Sequence, residues 1–135
     1  MTLIAWSDSL SVGVAEIDGQ HQKLVQLING LHDHMIQGDA KDIMEKVLDR
    51  VIQYTVMHFQ TEEKLMKAHG YPSSPKHMQE HADLTSHAVE LQQKLKSGNA
   101  RITMETMVFL KDWLQNHILK TDKLFGAYLN SKGVH

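Results

Sequence analysis

The stretch Val51-Ile52-Gln53-Tyr54-Thr55-Val56-Met57-His58-Phe59-Gln60-Thr61-Glu62-Glu63-Lys64-Leu65 decides the fold, because it is helical by period and unusual by composition. Val47, Val51, Tyr54, His58, Glu62 and Leu65 recur at helical spacing and form one stripe of a helix running from about residue 40 to 68. A stripe that faces a core should be aliphatic or aromatic. This one carries an imidazole and a carboxylate, one turn apart.

Working outward, three more segments show the same period. Residues 18–37 place His21, Leu24, Val25, Ile28, Leu31 and Met35 on one face, with Asp18 as the expected N-cap and Gly38-Asp39 as the stop. After the break Gly70-Tyr71-Pro72-Ser73, Ser74 is expected to cap a third helix over 75–97, with Pro75 at its first position. That helix presents His77, His81, Leu84, Ala88, Leu91 and Leu95, and Gly98-Asn99 closes it. The fourth, 103–130, puts Met107, Leu110, Leu114, His117, Thr121, Leu124 and Tyr128 in register. Residues 1–17 read as an extended arm whose Trp6, Val12, Val14 and Ile17 can pack on a helix. Four long amphipathic helices with short connections predict an all-α, antiparallel up-down-up-down four-helix bundle forming one domain over 1–135.

Composition narrows the function. The chain has 135 residues, 41% hydrophobic and 22% charged, ordinary values for one globular domain. A net charge of -2 offers no footprint for nucleic acid. Apolar runs such as Met107-Val108-Phe109-Leu110 fall far short of the roughly 20 residues that span a bilayer. The N-terminus shows no basic-then-apolar signal pattern, so a cytoplasmic location is expected. No Cys is present, which removes disulfides, thiolate metal sites and cysteine nucleophiles. Ten His remain to be explained.

Seven ionisable residues fall on the apolar stripes at one level of the expected bundle: His21, His58, Glu62, His77, His81, His117 and Asp122. A four-residue step turns a side chain only about 40° and advances it about 6 Å, so His58/Glu62 and His77/His81 each face one way. Alternating helix directions bring all seven to the same end. Burying five imidazoles and two carboxylates with no cation would be prohibitively costly. As metal ligands they are satisfied. Seven ligands exceed the needs of one transition-metal ion, so two ions bridged by carboxylates is the economical count. Zn, Mn, Co and Fe all suit such donors. His117 and Asp122 are five residues apart, roughly 140° around an ideal helix. Reaching one site therefore predicts a π-like widening near 117–122 or opposed side-chain leanings. His32 lies about 16 Å along the axis from His21 and is expected to stay outside the site. His34, His69, His87 and His135 are read as solvent-facing, loop or terminal residues.

The full spacing, His21 … His58-x-x-x-Glu62 … His77-x-x-x-His81 … His117-x-x-x-x-Asp122, resembles the hemerythrin ligand set without a departure. So do the lead-in Trp6 … Ser11-Val12-Gly13-Val14 … Ile17-Asp18-Gly19-Gln20-His21 and the run His58-Phe59-x-x-Glu62-Glu63. The resemblance covers the whole chain and looks like a single-domain bacterial hemerythrin. It implies two non-haem iron ions with an oxo or hydroxo bridge, binding O2 reversibly for transport, storage or delivery. On that resemblance His77, His81 and His117 hold one filled iron, His21 and His58 hold a second with a vacant position, and Glu62 and Asp122 bridge them. Apolar residues beside the ligands, Leu24, Phe59, Trp113, Leu114, Ile118 and Phe125, are the expected O2 pocket, Leu114 by the resemblance itself. The expected partner is O2, with an oxygen-consuming enzyme as recipient, and the expected state is a monomer that is not itself an enzyme. A sensing module is the alternative reading. A ferritin-like oxidase or iron store would need Glu-x-x-His motifs, and no Glu here has His three residues later.

Overall fold

The computed structural model describes residues 3–98 and 101–135; Asn99, half of the expected closing turn, and Met1-Thr2 of the arm lie outside them. Helix α1 spans Ala15–Gln37, α2 Lys41–His69 and α3 Ser74–Lys96. The fourth rod is α4, Met104–Asn116, then a π-helical turn His117–Asp122, then α5, Lys123–Ser131. Backbone angles stay helical through both junctions, so α4, the π turn and α5 form one continuous helix. No strand occurs among the described residues. The result is the four-helix bundle, with α1 lying along α2, α2 along α3, and α4 returning against α1. Short connections force each neighbour to run antiparallel. Gly38 and Gly70 end α1 and α2 at φ 70° and 62°, a left-handed turn that glycine enters without a Cβ penalty.

The arm departs from expectation in two ways. It ends at Val14, not Ile17, because Asp18 is not the N-cap. Asp18 sits in the first turn of α1 and its carboxylate reaches back, accepting from Ser11 Oγ at 2.5 Å and the Val12 amide at 2.8 Å. Val14 occupies the cap position with no side-chain bond. Likewise Ser73, not Ser74, precedes α3; Ser74 Oγ donates to the Tyr71 carbonyl instead. The arm is also not wholly extended, since Asp8–Leu10 forms a 3-10 turn that touches the π turn.

Three devices bind the arm down. Ile4 and Asn29 exchange two hydrogen bonds at 2.9 Å. Asn130 donates to the Gly13 carbonyl at 3.0 Å. Gly126 of α5 lets the Val12 carbonyl come so close that a Cβ there would sit 2.0 Å from the oxygen. Ile4, Leu10, Val12 and Val14 are thereby buried in the main core with Leu24, Leu31, Leu48 and Met107. Trp6 packs on it while partly exposed.

The π turn resets the phase of the fourth rod. A constant period places Leu124 inward, but Leu124 is 68% exposed, while Asp122, Phe125 and Leu129 are fully buried. One extra residue in the turn advances every following side chain to the next position. The five-residue step from His117 to Asp122 thus ends on the face where it began.

Candidate metal centre

Each rod contributes to one buried cluster. His21 comes from the second turn of α1, His58 and Glu62 from the second half of α2, and His77 and His81 from the first two turns of α3. His117 and Asp122 bracket the π turn. All seven are buried, His21, Glu62 and Asp122 completely. The stripe argument therefore identified residues that the fold brings together.

Distances show a shared centre. Asp122 Oδ2 lies 3.0 Å from His21 Nε2, and its Oδ1 lies 2.9 Å from His77 Nε2 and 3.2 Å from His117 Nε2. Glu62 Oε1 lies 3.0 Å from His81 Nε2 and 3.5 Å from His58 Nε2. The donor atoms fall into two overlapping groups: Glu62, His77, His81, His117 and Asp122, and His21, His58, Glu62 and Asp122. Both carboxylates belong to both groups. Three histidines on one side and two on the other is the division that the resemblance implied.

The electrostatics of the bare protein show why protons alone serve this cluster poorly. Burial, reinforced by neighbouring His21, pushes His58 down to about 3; burial and His77 push His81 down to about 2. Burial also opposes charge on His77, yet Asp122 and Glu62 beside it carry it up to about 9. Burial and the adjacent Asp122 hold the Glu62 carboxyl well above its usual range. Asp122 goes the other way: burial is outweighed by the close approach of the His117, His21 and His77 rings. Even so, the Nε2 atoms of His21, His58, His77, His81 and His117 and all four carboxylate oxygens of Glu62 and Asp122 find no hydrogen-bond partner of good geometry. Buried polar atoms that remain unpaired at this density fit divalent cations, whose ligands they can be.

The far sides of two rings are held by hydrogen bonds, and a third has a carboxylate nearby. His58 Nδ1 lies 2.6 Å from Gln20 Oε1, His81 Nδ1 lies 3.1 Å from Glu63 Oε2, and His117 Nδ1 lies 3.4 Å from Glu80 Oε2. Trp113 stacks on His117 and Phe59 on His81, at 4.5 and 3.8 Å between centroids. The backing roles of Gln20, Glu63 and Glu80 are not visible in the apolar stripes. Each adjoins a cluster residue in sequence, which was the available signal, but Glu80 adjoins His81 and backs His117.

Beside the cluster is an apolar cavity of about 40 Å³, large enough for one small molecule. Leu24, Phe59, Trp113 and Leu114 line it, with Ile28, Leu48, Val51, Ile52, Leu84 and others. Its one hydroxyl, on Thr55, donates to the Val51 carbonyl at 2.6 Å. Two expected lining residues do not line it. Ile118, within the π turn, and Phe125, in α5 beyond it, are fully buried elsewhere, Phe125 against Tyr71 and His77. Of the remaining histidines, His32 is buried but outside the cluster, and His34 pairs with Asp39. His87 and His135 are exposed and His69 is half-buried at the end of α2.

Residues 12–129 match the family model of the hemerythrin HHE cation binding domain. The chain is 38% identical over 132 residues to the bacteriohemerythrin of Methylococcus capsulatus, covering 97% of this chain and 100% of that one. It is 32% identical over 124 residues to a hemerythrin-like protein of Naegleria gruberi, covering 92% of each. A crystal structure of wild-type hemerythrin superimposes with a TM-score of 0.90 at 38% identity, over 94% of this chain and 98% of that one. This chain belongs to the hemerythrin family, whose members are known for binding oxygen at non-haem di-iron centres.

Proposed function

We propose that this protein binds O2 reversibly at two non-haem iron ions and serves to carry, store or hand on oxygen. The observation that carries the reading is the division of seven buried, unpaired donors into a three-histidine and a two-histidine group sharing both carboxylates. His77, His81 and His117 would hold one ion and His21 and His58 the other, with Glu62 and Asp122 shared. An ion held by the two-histidine group would have fewer protein ligands and so would be the one able to take a small ligand. Two Fe(II) ions would supply the two electrons that reversible oxygen uptake draws on, with an oxo or hydroxo group as the further bridge.

The chain's own residues do the rest. Five neutral imidazoles against two carboxylates keep the centre less anionic than a carboxylate-rich oxidase site, which favours return over onward oxidation. Phe59, Leu114 and Leu24 present a wall without free polar groups, limiting access of water and protons. Among the described residues no helix is long and apolar enough to cross a membrane.

Elemental analysis and the visible spectrum of the air-exposed protein test the reading together. Two irons per chain and an oxygen-dependent band that reverses when O2 is removed are expected. Zinc at full occupancy, or a band indifferent to O2, would overturn it.

A further inference from the structure

The contact behind His58 differs in kind from those behind His81 and His117, while the Nδ1 atoms of His21 and His77 have no hydrogen-bond partner among the described residues. Glu63 places a carboxylate against the Nδ1 of His81, and Glu80 places one near that of His117. His58 has the uncharged Gln20 at 2.6 Å. Gln20 is not free to choose which end it presents. Its Nε2 donates to Thr61 Oγ1 at 3.3 Å and lies 3.8 Å from Met57 Sδ. The Thr61 hydroxyl donates in turn to the Met57 carbonyl at 3.2 Å, one helical turn back. Thr61 Oγ1 therefore has a lone pair and no proton for Gln20. The amide must turn its NH2 to Thr61 and its oxygen to His58. Because that oxygen can only accept, His58 must carry its proton on Nδ1, which leaves Nε2 bare and facing Glu62.

We infer that Gln20 is a positioning residue for His58: locked by Thr61, its amide fixes the ring with Nε2 toward the cluster and puts an uncharged acceptor where His81 and His117 have carboxylates. A carboxylate behind a ligating imidazole draws on the Nδ1 proton and makes the ring a stronger donor. A neutral amide orients the ring with less of that effect. His21 of the same group has no partner for Nδ1 among the described residues. Neither imidazole of the two-histidine group thus has a carboxylate behind it. The ion held there should be the harder of the two to oxidise, which keeps it in the reduced state that oxygen uptake requires. This consequence rests on the di-iron reading, whereas the ring orientation does not.

Three variants separate charge from positioning: Gln20→Glu, Gln20→Leu and Thr61→Val. The first readout is the nitrogen-15 shift of the His58 ring in the metal-free protein at neutral pH. Wild type and Gln20→Glu should show the Nδ1-protonated form, and Gln20→Leu a mixture of both tautomers, with Thr61→Val between. The second is binding of Fe(II), which should weaken about 10–100-fold in Gln20→Leu, with the metal-free melting temperature confirming that the variant is folded. The third is the midpoint potential of the loaded protein. Gln20→Glu should keep its iron while shifting the Fe(III)/Fe(II) balance about tenfold toward Fe(III), or about 59 mV for one electron. An unchanged tautomer in Gln20→Leu overturns the positioning role, and an unchanged potential in Gln20→Glu overturns the role of the uncharged acceptor. If wild type itself takes up no iron, the proposed function fails, and the tautomer measurement still decides the role of Gln20.

Discussion

Removing a carboxylate from this centre differs from removing an imidazole, because Glu62 and Asp122 belong to both ligand groups and each histidine to one. Glu62→Ala and Asp122→Ala should therefore lower iron content per chain more than His21→Ala. Equal iron in all three variants would contradict the sharing. Leu114 poses a different question, since a leucine 5% exposed beside the buried cluster can be core or pocket wall. As core alone, Leu114→Ala costs on the order of 2–5 kcal/mol. As wall, it should also let water in and speed spontaneous oxidation of the oxygenated protein. Leu84 would seem a natural control, but it lines the same cavity. Leu31, fully buried and outside the cavity wall, is the appropriate one. Oxidation measured well below each melting temperature should be faster in Leu114→Ala and unchanged in Leu31→Ala; wild-type rates in both would make Leu114 core only.

Helix positions were legible because apolar period and glycine stops are local signals, and the ionisable residues on the stripes stood out against them. The metal-site stripe of α2 needed no tertiary information for that reason. What was not legible needed contacts distant in sequence. Asp18 looks like an N-cap because Asp caps helices, and only the folded arm shows that its carboxylate serves Ser11 and Val12. The spacing of His117 and Asp122 predicts a π-like widening or opposed side-chain leanings, and the fold takes the first; the effect on Leu124, Phe125 and Leu129 does not follow from a stripe of constant period. Gly126 is the other silent position. An exposed helical Gly→Ala change gains about 1 kcal/mol in propensity. Here a Cβ would meet the Val12 carbonyl at 2.0 Å, and backbone cannot yield as a side chain does. Gly126→Ala should instead lose about 1–3 kcal/mol, read as a lower urea midpoint, with the arm more open to proteolysis. A midpoint at or above wild type would show that the arm does not rest on α5.

For the molecule as a whole, the cluster makes stability depend on pH in a way that iron should reverse. In the metal-free protein His58 and His81 titrate at about 3 and 2, below their unfolded value of 6.5. Their contribution is complete above pH 6.5 and is lost as pH falls from there toward 3, because the unfolded chain then binds protons that the fold refuses. His77, raised to about 9, contributes below pH 6.5 and loses that contribution as pH climbs to 9. Glu62, raised above 4.5, loses its own from pH 4.5 upward, and Asp122, lowered below 3.8, keeps its contribution throughout that range. Between pH 4.5 and 6.5 two histidines gain with pH, more than one carboxyl can offset, so stability rises across this window. Above 6.5 only falling contributions remain. The melting temperature of the metal-free protein should therefore peak near pH 6.5. Ligation needs His77 without its ring proton at Nε2, so iron must displace the proton that His77 retains above neutrality. The iron-loaded protein should melt higher at every pH in this range, because metal binds the folded arrangement and not the unfolded chain. The gap between loaded and metal-free melting temperatures should widen from pH 6.5 to 9. A gap that stays constant over that range would mean that this proton and the metal do not compete for the same atom.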